Sequence, residues 1–202
     1  LGPAGVKGGH LPPRGAQKGE DVILQGSHVP EAGSQKAEHF NEIASEPAEE
    51  VQGLMWLYAQ YLASERQTLR DHNVRLVHLG RTEDLPQDVV RELGRSLEVS
   101  KNNTGMTLCL ALNYSGRDEI IRASRRLAQQ LSAGTITVEQ ITPQSFANEL
   151  DTAGLPDPDL LIRTANERRI SDFLLWQISY AEIFVTDFYW PDFSPEVLHL
   201  AL

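Results

Sequence analysis

Arg163, Arg168, Arg169 and Ser171 crowd into one short stretch of the segment DLLIRTANERRIS. Guanidinium forks match phosphate oxygens and form charge-assisted hydrogen bonds. Three of them beside a hydroxyl, behind a strand and at the entrance of a following helix, are the ingredients of a diphosphate site. Glu182, in YAEIFVT, lies nineteen residues beyond Arg163. A carboxylate there can hold Mg²⁺ against a diphosphate, because the ion takes one or two protein carboxylates and completes its shell with phosphate oxygens and water. A second polar segment, Asn113-Tyr114-Ser115-Gly116-Arg117, follows the apolar run MTLCLAL. Spacing alone leaves another reading open. The arginines can pair instead with Asp157, Asp159 and Glu167, and Glu182 can be a solvated residue at a helix end.

Elements must bring these groups together. Ser45, Pro47, Glu49 and Glu50 are start signals for a helix predicted from Glu46 to Arg70, with Val51, Leu54, Tyr58, Tyr61, Leu62 and Leu69 at helical spacing. VRLVHLG reads as a strand closed by Gly80, and Pro86 opens a helix with Val90, Leu93 and Leu97 inward. MTLCLAL is apolar on both faces, as a central parallel strand must be. A helix over GRDEIIRASRRLAQQLSAG presents Ile120, Ile121, Leu127 and Leu131 and ends at Gly134, and another starts at Thr142-Pro143 and presents Phe146 and Leu150. Strand Asp159 to Arg163, helix FLLWQIS and strand EIFVT complete the order. Alternation of this kind predicts an α/β fold with a mostly parallel sheet flanked by helices, and ligands then bind beyond the carboxyl ends of the strands.

The chain has 202 residues and a formal net charge of −10, so its average surface repels phosphate backbones and nucleic acid is excluded as a non-specific partner. With one cysteine it forms no internal disulfide, and Cys109, inside TLCLAL, reads as core filler. No apolar run approaches the length of a membrane span, and the first residues lack the pattern of a signal peptide, so the expectation is a cytoplasmic protein. Eight of the 15 glycines fall before residue 34, which marks residues 1–44 as a poorly structured segment preceding a domain over 45–202. The aromatic group Phe184, Phe188, Tyr189, Trp190 and Phe193 reads as core or subunit contact, and none of the six histidines is assigned a catalytic role.

GMTLCLALNYSGRDEI and DLLIRTANERRISDFLLWQISYAEIFVTDFYWPDF, with EEVQGLMWLYAQYL and DHNVRLVHLG, resemble the cis-prenyltransferases, typified by bacterial undecaprenyl diphosphate synthase. The resemblance runs from about Glu46 to Phe193. It implies an enzyme that condenses isopentenyl diphosphate with an allylic diphosphate such as farnesyl diphosphate to form cis-polyprenyl diphosphate. It also implies a homodimer, Mg²⁺ as cofactor, and peripheral contact with membranes through the lipid product. By the same resemblance Arg163, Arg169 and Ser171 grip the diphosphate of isopentenyl diphosphate and Glu182 meets the magnesium, while Asn113, Tyr114, Gly116 and Arg117 shape the site. Departures are as definite. The family's DGNGRW-type loop is not found; VILQGSH places Gln25 where its essential aspartate belongs, so the catalytic residue is unassigned and the N-terminal part of the fold is incomplete. Only Glu42 matches the FSTENW-type segment, TGGE has become Thr164-Ala165-Asn166-Glu167, and the sequence stops at Leu202 before the family's basic C-terminal segment. The expectation is therefore a prenyltransferase by descent that binds substrate and turns over slowly or not at all. A non-catalytic accessory subunit of a paired prenyltransferase is the alternative.

Overall fold

A computed structural model describes residues 21–25 and 48–202. β3 (Thr107–Ala111) lies between β1 (Asp21–Gln25) and β2 (Arg75–Leu79), parallel to both. A strand paired on both sides and covered on both faces must be apolar throughout, and Cys109 at its centre is fully buried. The registers run Gln25 opposite Ala111 and Leu79 opposite Ala111, so the three carboxyl ends form one edge. β4 (Leu160–Arg163) and β5 (Glu182–Val185) form a separate parallel pair. The expectation of a mostly parallel α/β fold holds, with the strands in two hydrogen-bonded groups. Apolar packing joins the two: Leu79 and Cys109 share one core cluster with Leu161, Phe173 and Leu174. β1 falls inside the segment 1–44 for which the sequence predicts little regular structure. The rest of that segment, and the proposed cap at Ser45, lie outside the described residues.

Most of the helices keep their predicted places but not always their predicted faces. The single helix expected to Arg70 is two, α1 (Ala48–Ser64) and α2 (Arg66–Asp71), interrupted at Glu65. Ala59, Leu62 and Leu69 are buried, whereas Leu54 and Tyr61 are exposed. In α3 (Gln87–Ser100) the inward row is Val89, Leu93, Ser96 and Ser100, and Val90 faces out. In α4 (Gly116–Ser132) it is Glu119, Ala123 and Leu127, with Ile121 half exposed. Apolar periodicity fixes spacing, but here buried polar residues set the rotation. Ser96 and Ser100 go inside because each hydroxyl has a backbone partner there: Ser96 Oγ donates to the Leu62 carbonyl at 2.8 Å, and Ser100 Oγ donates to the Ser96 carbonyl at 2.9 Å while accepting from Leu76 N–H at 3.1 Å.

α5 (Pro143–Ala147) starts as expected, with Thr142 Oγ1 accepting from Ser145 N–H at 3.1 Å. The helix predicted over FLLWQIS is not formed: only Gln177–Tyr180 make a 3₁₀ turn. Ser171, Asp172 and Leu174 adopt φ values of 57°, 60° and 46°, a left-handed region that cannot continue a right-handed helix. α6 (Pro195–Ala201) closes the chain, capped by Ser194. Among the described residues no helix is long and apolar enough to cross a membrane. Ser100→Ala should lower stability by about 1–3 kcal/mol, the cost of leaving the buried Leu76 N–H without an acceptor. Urea unfolding checks it, and an unchanged midpoint would mean that this hydroxyl carries no such role.

Candidate functional site

The carboxyl edge of the sheet is assembled from turns that fasten to one another. Gly80 follows β2 at φ 113°, and a Cβ there would lie 2.4 Å from the Leu112 carbonyl oxygen, so only glycine lets the two strand ends approach. Asn113 spans the same gap: its Nδ2 donates to the Arg81 carbonyl at 3.0 Å, and its own carbonyl accepts from Arg81 N–H at 3.0 Å. Asn113 thus joins the β2 and β3 turns. Gly80 N–H donates to Asp151 Oδ2 at 3.0 Å, and the Arg122 fork holds both oxygens of Asp151 at 2.8 and 2.7 Å. Glu119, fully buried, accepts from Tyr114 Oη at 2.6 Å, from Asp151 N–H at 2.8 Å and from Gln177 Nε2 at 3.1 Å. Burial and the Glu119 carboxylate keep the Tyr114 phenol protonated far above its ordinary range.

Arg163 ends β4 at this edge. Its Nη2 donates to Ser171 Oγ at 3.4 Å, and its Nε is buried with no acceptor among the described residues. Burial pulls its pKa below the ordinary arginine value, Glu167 opposes that shift, and Arg169 adds to it. Arg169 is turned onto Glu167, donating from Nε at 3.0 Å and from Nη2 at 2.7 Å. That pair holds the Glu167 carboxyl down at about 2. Arg168 donates to Asn166 Oδ1 at 3.3 Å. Arg163 and Ser171 are thus together, whereas Arg169 makes the ion pair that the sequence left open as an alternative.

Asp172 brings the β4 loop onto the start of α4. Its carbonyl accepts from Gly116 N–H at 2.8 Å, its Oδ1 accepts from Arg117 N–H at 3.1 Å, and its Oδ2 accepts from Ser115 Oγ at 2.5 Å. A Cβ on Gly116 would sit 2.8 Å from the Asp172 carbonyl oxygen, which is why glycine stands there. Ser115 caps the same helix through Asp118 N–H at 3.2 Å. Arg117 contributes its backbone, and its side chain is largely exposed. No free helix N-terminus follows Arg163, because the helix expected there is absent, and the start of α4 is already met by Asp172. No local signal marks Asp172, since its hydroxyl partner is 57 positions away. The same holds for Glu119, Asp151 and Gln177, all polar residues in segments that read as ordinary helix or loop.

Glu182 opens β5 opposite Leu160, while Arg163 ends β4 opposite Val185. Three strand residues separate the two levels, about 10 Å. Glu182 is exposed, and among the described residues no group of three or more His, Cys, Asp or Glu could hold a metal ion. Glu182 and Arg163 thus stand at opposite ends of the β4–β5 pair. Gln25, at the carboxyl end of β1, shares its level with Ala111 and Leu79, on the edge that Asn113 and Gly80 build.

Comparison with known proteins gives this arrangement a family. Residues 41–202 match the family model described as "Putative undecaprenyl diphosphate synthase". An isoprenyl transferase of Rhodopirellula baltica is 48% identical over 156 residues, covering 77% of this chain and 64% of that protein. A ditrans,polycis-undecaprenyl-diphosphate synthase ((2E,6E)-farnesyl-diphosphate specific) of Micrococcus luteus is 42% identical over 154 residues, covering 76% of this chain and 62% of that protein. The chain thus spans a little under two-thirds of the length of these relatives. Lavandulyl diphosphate synthase from Lavandula x intermedia, crystallised with dimethylallyl diphosphate, superposes with a TM-score of 0.75 at 31% identity, over 78% of this chain and 69% of that one. A probable undecaprenyl diphosphate synthase from Campylobacter jejuni gives 0.68 at 28% identity, over 79% and 72%. Sequence and fold agree, and the chain belongs to the undecaprenyl diphosphate synthase family of cis-prenyltransferases.

Proposed function

We propose that the Arg163 and Ser171 pocket binds the diphosphate of isopentenyl diphosphate, as one half-site of a cis-prenyltransferase whose second substrate is an allylic diphosphate of the farnesyl type. The observation that carries this reading is the buried Arg163 Nε, without a partner among the described residues, beside the Ser171 hydroxyl at the carboxyl end of β4. A buried N–H without an acceptor is destabilising, and a diphosphate oxygen supplies the acceptor. Arg169 joins the grip when it leaves Glu167. In the condensation the carbon–carbon double bond of isopentenyl diphosphate attacks the allylic carbon, diphosphate departs from that carbon, and a proton is lost to give the new cis double bond. The part of Arg163, Arg169 and Ser171 is to anchor the attacking substrate by its own diphosphate. Magnesium enters this reading as an ion that arrives on the diphosphates, with exposed Glu182 as a carboxylate able to meet it.

The allylic half-site is the weaker one. Gln25, an amide, occupies the register position at the end of β1 where the resemblance calls for an aspartate. Losing transition-state contacts costs about 10²–10³ in rate for each donor, so binding should outlast turnover. The same observation favours the second reading, a non-catalytic subunit that completes a paired prenyltransferase. Incubation with isopentenyl diphosphate, farnesyl diphosphate and Mg²⁺ followed by product chromatography separates them: rapid polyprenyl synthesis by the chain alone would remove the accessory reading.

Arg163→Ala should weaken isopentenyl diphosphate binding by about 1.5–3 kcal/mol, the worth of a hydrogen bond to a charged group. Calorimetry decides it, and unchanged affinity in the variant would dismiss the site. Glu167→Gln removes the carboxylate that competes for Arg169, so affinity should rise by about 1.5–5 times, as expected when an exposed ion pair no longer has to open. A fall in affinity would show that Glu167 orients Arg169 rather than withholding it. We also propose a homodimer through the β5 region, where Tyr180 is 98% exposed and Ile183, Phe188, Tyr189 and Trp190 are each about half exposed. Exposed apolar residues gathered in one short segment are the material of an interaction site. Sedimentation at micromolar concentration should give a dimer, and a monomer there would rule this face out as a self-interface.

A further inference from the structure

A second cluster of arginines lies away from the strand ends, where α2 packs against α3. Arg66 and Arg70 from α2 face Arg91 and Arg95 from α3 across an open groove of about 540 Å³, in a chain whose net charge is −10. One carboxylate, Glu98, lines the groove with them, and a second, Glu92, is buried among the arginines. Glu92 is shared: Arg66 pairs with its Oε2, and Arg91 and Arg95 each donate to its Oε1 at 3.0 Å. Glu98 is taken up by Lys101 at 2.6 Å. One carboxylate therefore orders three guanidiniums while neutralising only one of them. Arg66 is fixed further by Ser96 Oγ, 3.2 Å from its Nε.

The floor points the same way. Gly94 sits inside α3, where glycine is less stable than alanine, yet a Cβ there would meet nothing within 4 Å. No packing contact requires it. Its effect is to leave the helix surface bare between Val90 and Val99, so that a ligand can lie against it beneath the guanidinium rim. Several forks converging from two helices suit a tetrahedral phosphate, whose oxygens accept from different directions at once, better than a single planar carboxylate. An apolar floor suits an organic stem attached to that phosphate.

We propose that this groove is a second anion site, taking a phosphate or diphosphate head on an apolar stem, presented either by a free phosphate ester or by a lipid at a membrane surface. It shares no residue with the Arg163 pocket, and the two can be separated. In the full chain carrying Arg163→Ala, inorganic diphosphate should still bind at one site by calorimetry. Adding Arg70→Gln and Arg95→Gln, or Gly94→Glu, should lower that affinity by about tenfold or more. The arginine heads are exposed, so urea midpoints should stay close to that of the Arg163→Ala parent. Co-sedimentation with phosphatidylglycerol vesicles, against phosphatidylcholine as control, identifies the source. Retention on the anionic vesicles that the groove substitutions abolish assigns a lipid head, and diphosphate binding without vesicle retention assigns a free ester. If the Arg163→Ala chain binds neither probe, or the groove variants bind both as well as the parent does, the proposal is wrong. Unchanged isopentenyl diphosphate affinity on Arg163→Ala would instead overturn the function proposed above and leave the groove standing.

Discussion

Buried Glu119 is the interaction on which the carboxyl edge depends. A carboxylate with no exposure to water is tolerated only when donors surround it, and Glu119 draws three from separate segments: the Tyr114 hydroxyl, the Asp151 N–H and the Gln177 amide. Satisfying that one group brings the β3 turn, the loop after α5 and the chain beyond β4 to a common point. Asp151, so placed, is gripped by Arg122 and accepts from Gly80 at the end of β2. Removing Glu119 would orphan the Tyr114 hydroxyl and the Asp151 N–H and leave the Gln177 amide with Thr152 Oγ1 alone, so the network acts as a unit rather than as separable bonds.

On that frame, the local field runs against the average charge. The chain is strongly acidic, yet Arg163 is held in a partly buried position with its Nε–H unpaired among the described residues, a cost that an acceptor oxygen would relieve. Glu167 acts as an internal stand-in for such an anion, occupying Arg169 with two hydrogen bonds. Asp172 does the same at the start of α4, where it accepts from Ser115 and Arg117 and welds the Ser171 loop in place. Negative side chains thus order positive ones before any ligand arrives, and the α2–α3 groove repeats the pattern with Glu92.

Family membership and local geometry carry different parts of the functional argument. The relatives named isoprenyl transferase establish descent, and they extend beyond the portion that this chain covers. Geometry adds that Arg163 and Ser171 meet, that Arg169 is otherwise engaged, and that Glu182 stands at the far end of the β4–β5 pair. The end of β4 therefore brings Arg163 and Ser171 together, whereas β1 ends at Gln25, an amide.

The order of helices and strands, the central place of β3, the Thr142 cap and the family resemblance were all legible in the amino-acid sequence, because each rests on neighbouring residues whose spacing or chemistry is local. β1 was visible only as a short apolar run, since the partner that makes it a strand is β3, far along the chain. Helix faces were misread at Leu54, Tyr61, Val90 and Ile121, because buried Ser96, Ser100 and Glu119 find partners only after packing. The helix expected at FLLWQIS yields to left-handed residues beside the contacts of Asp172 with α4. Which arginine is buried beside Ser171 and which pairs with Glu167, and that Glu182 lies at the opposite end of the β4–β5 pair from Arg163, depend on tertiary structure alone. Register and the path of the chain set those distances, and neither is encoded in the spacing of the residues concerned.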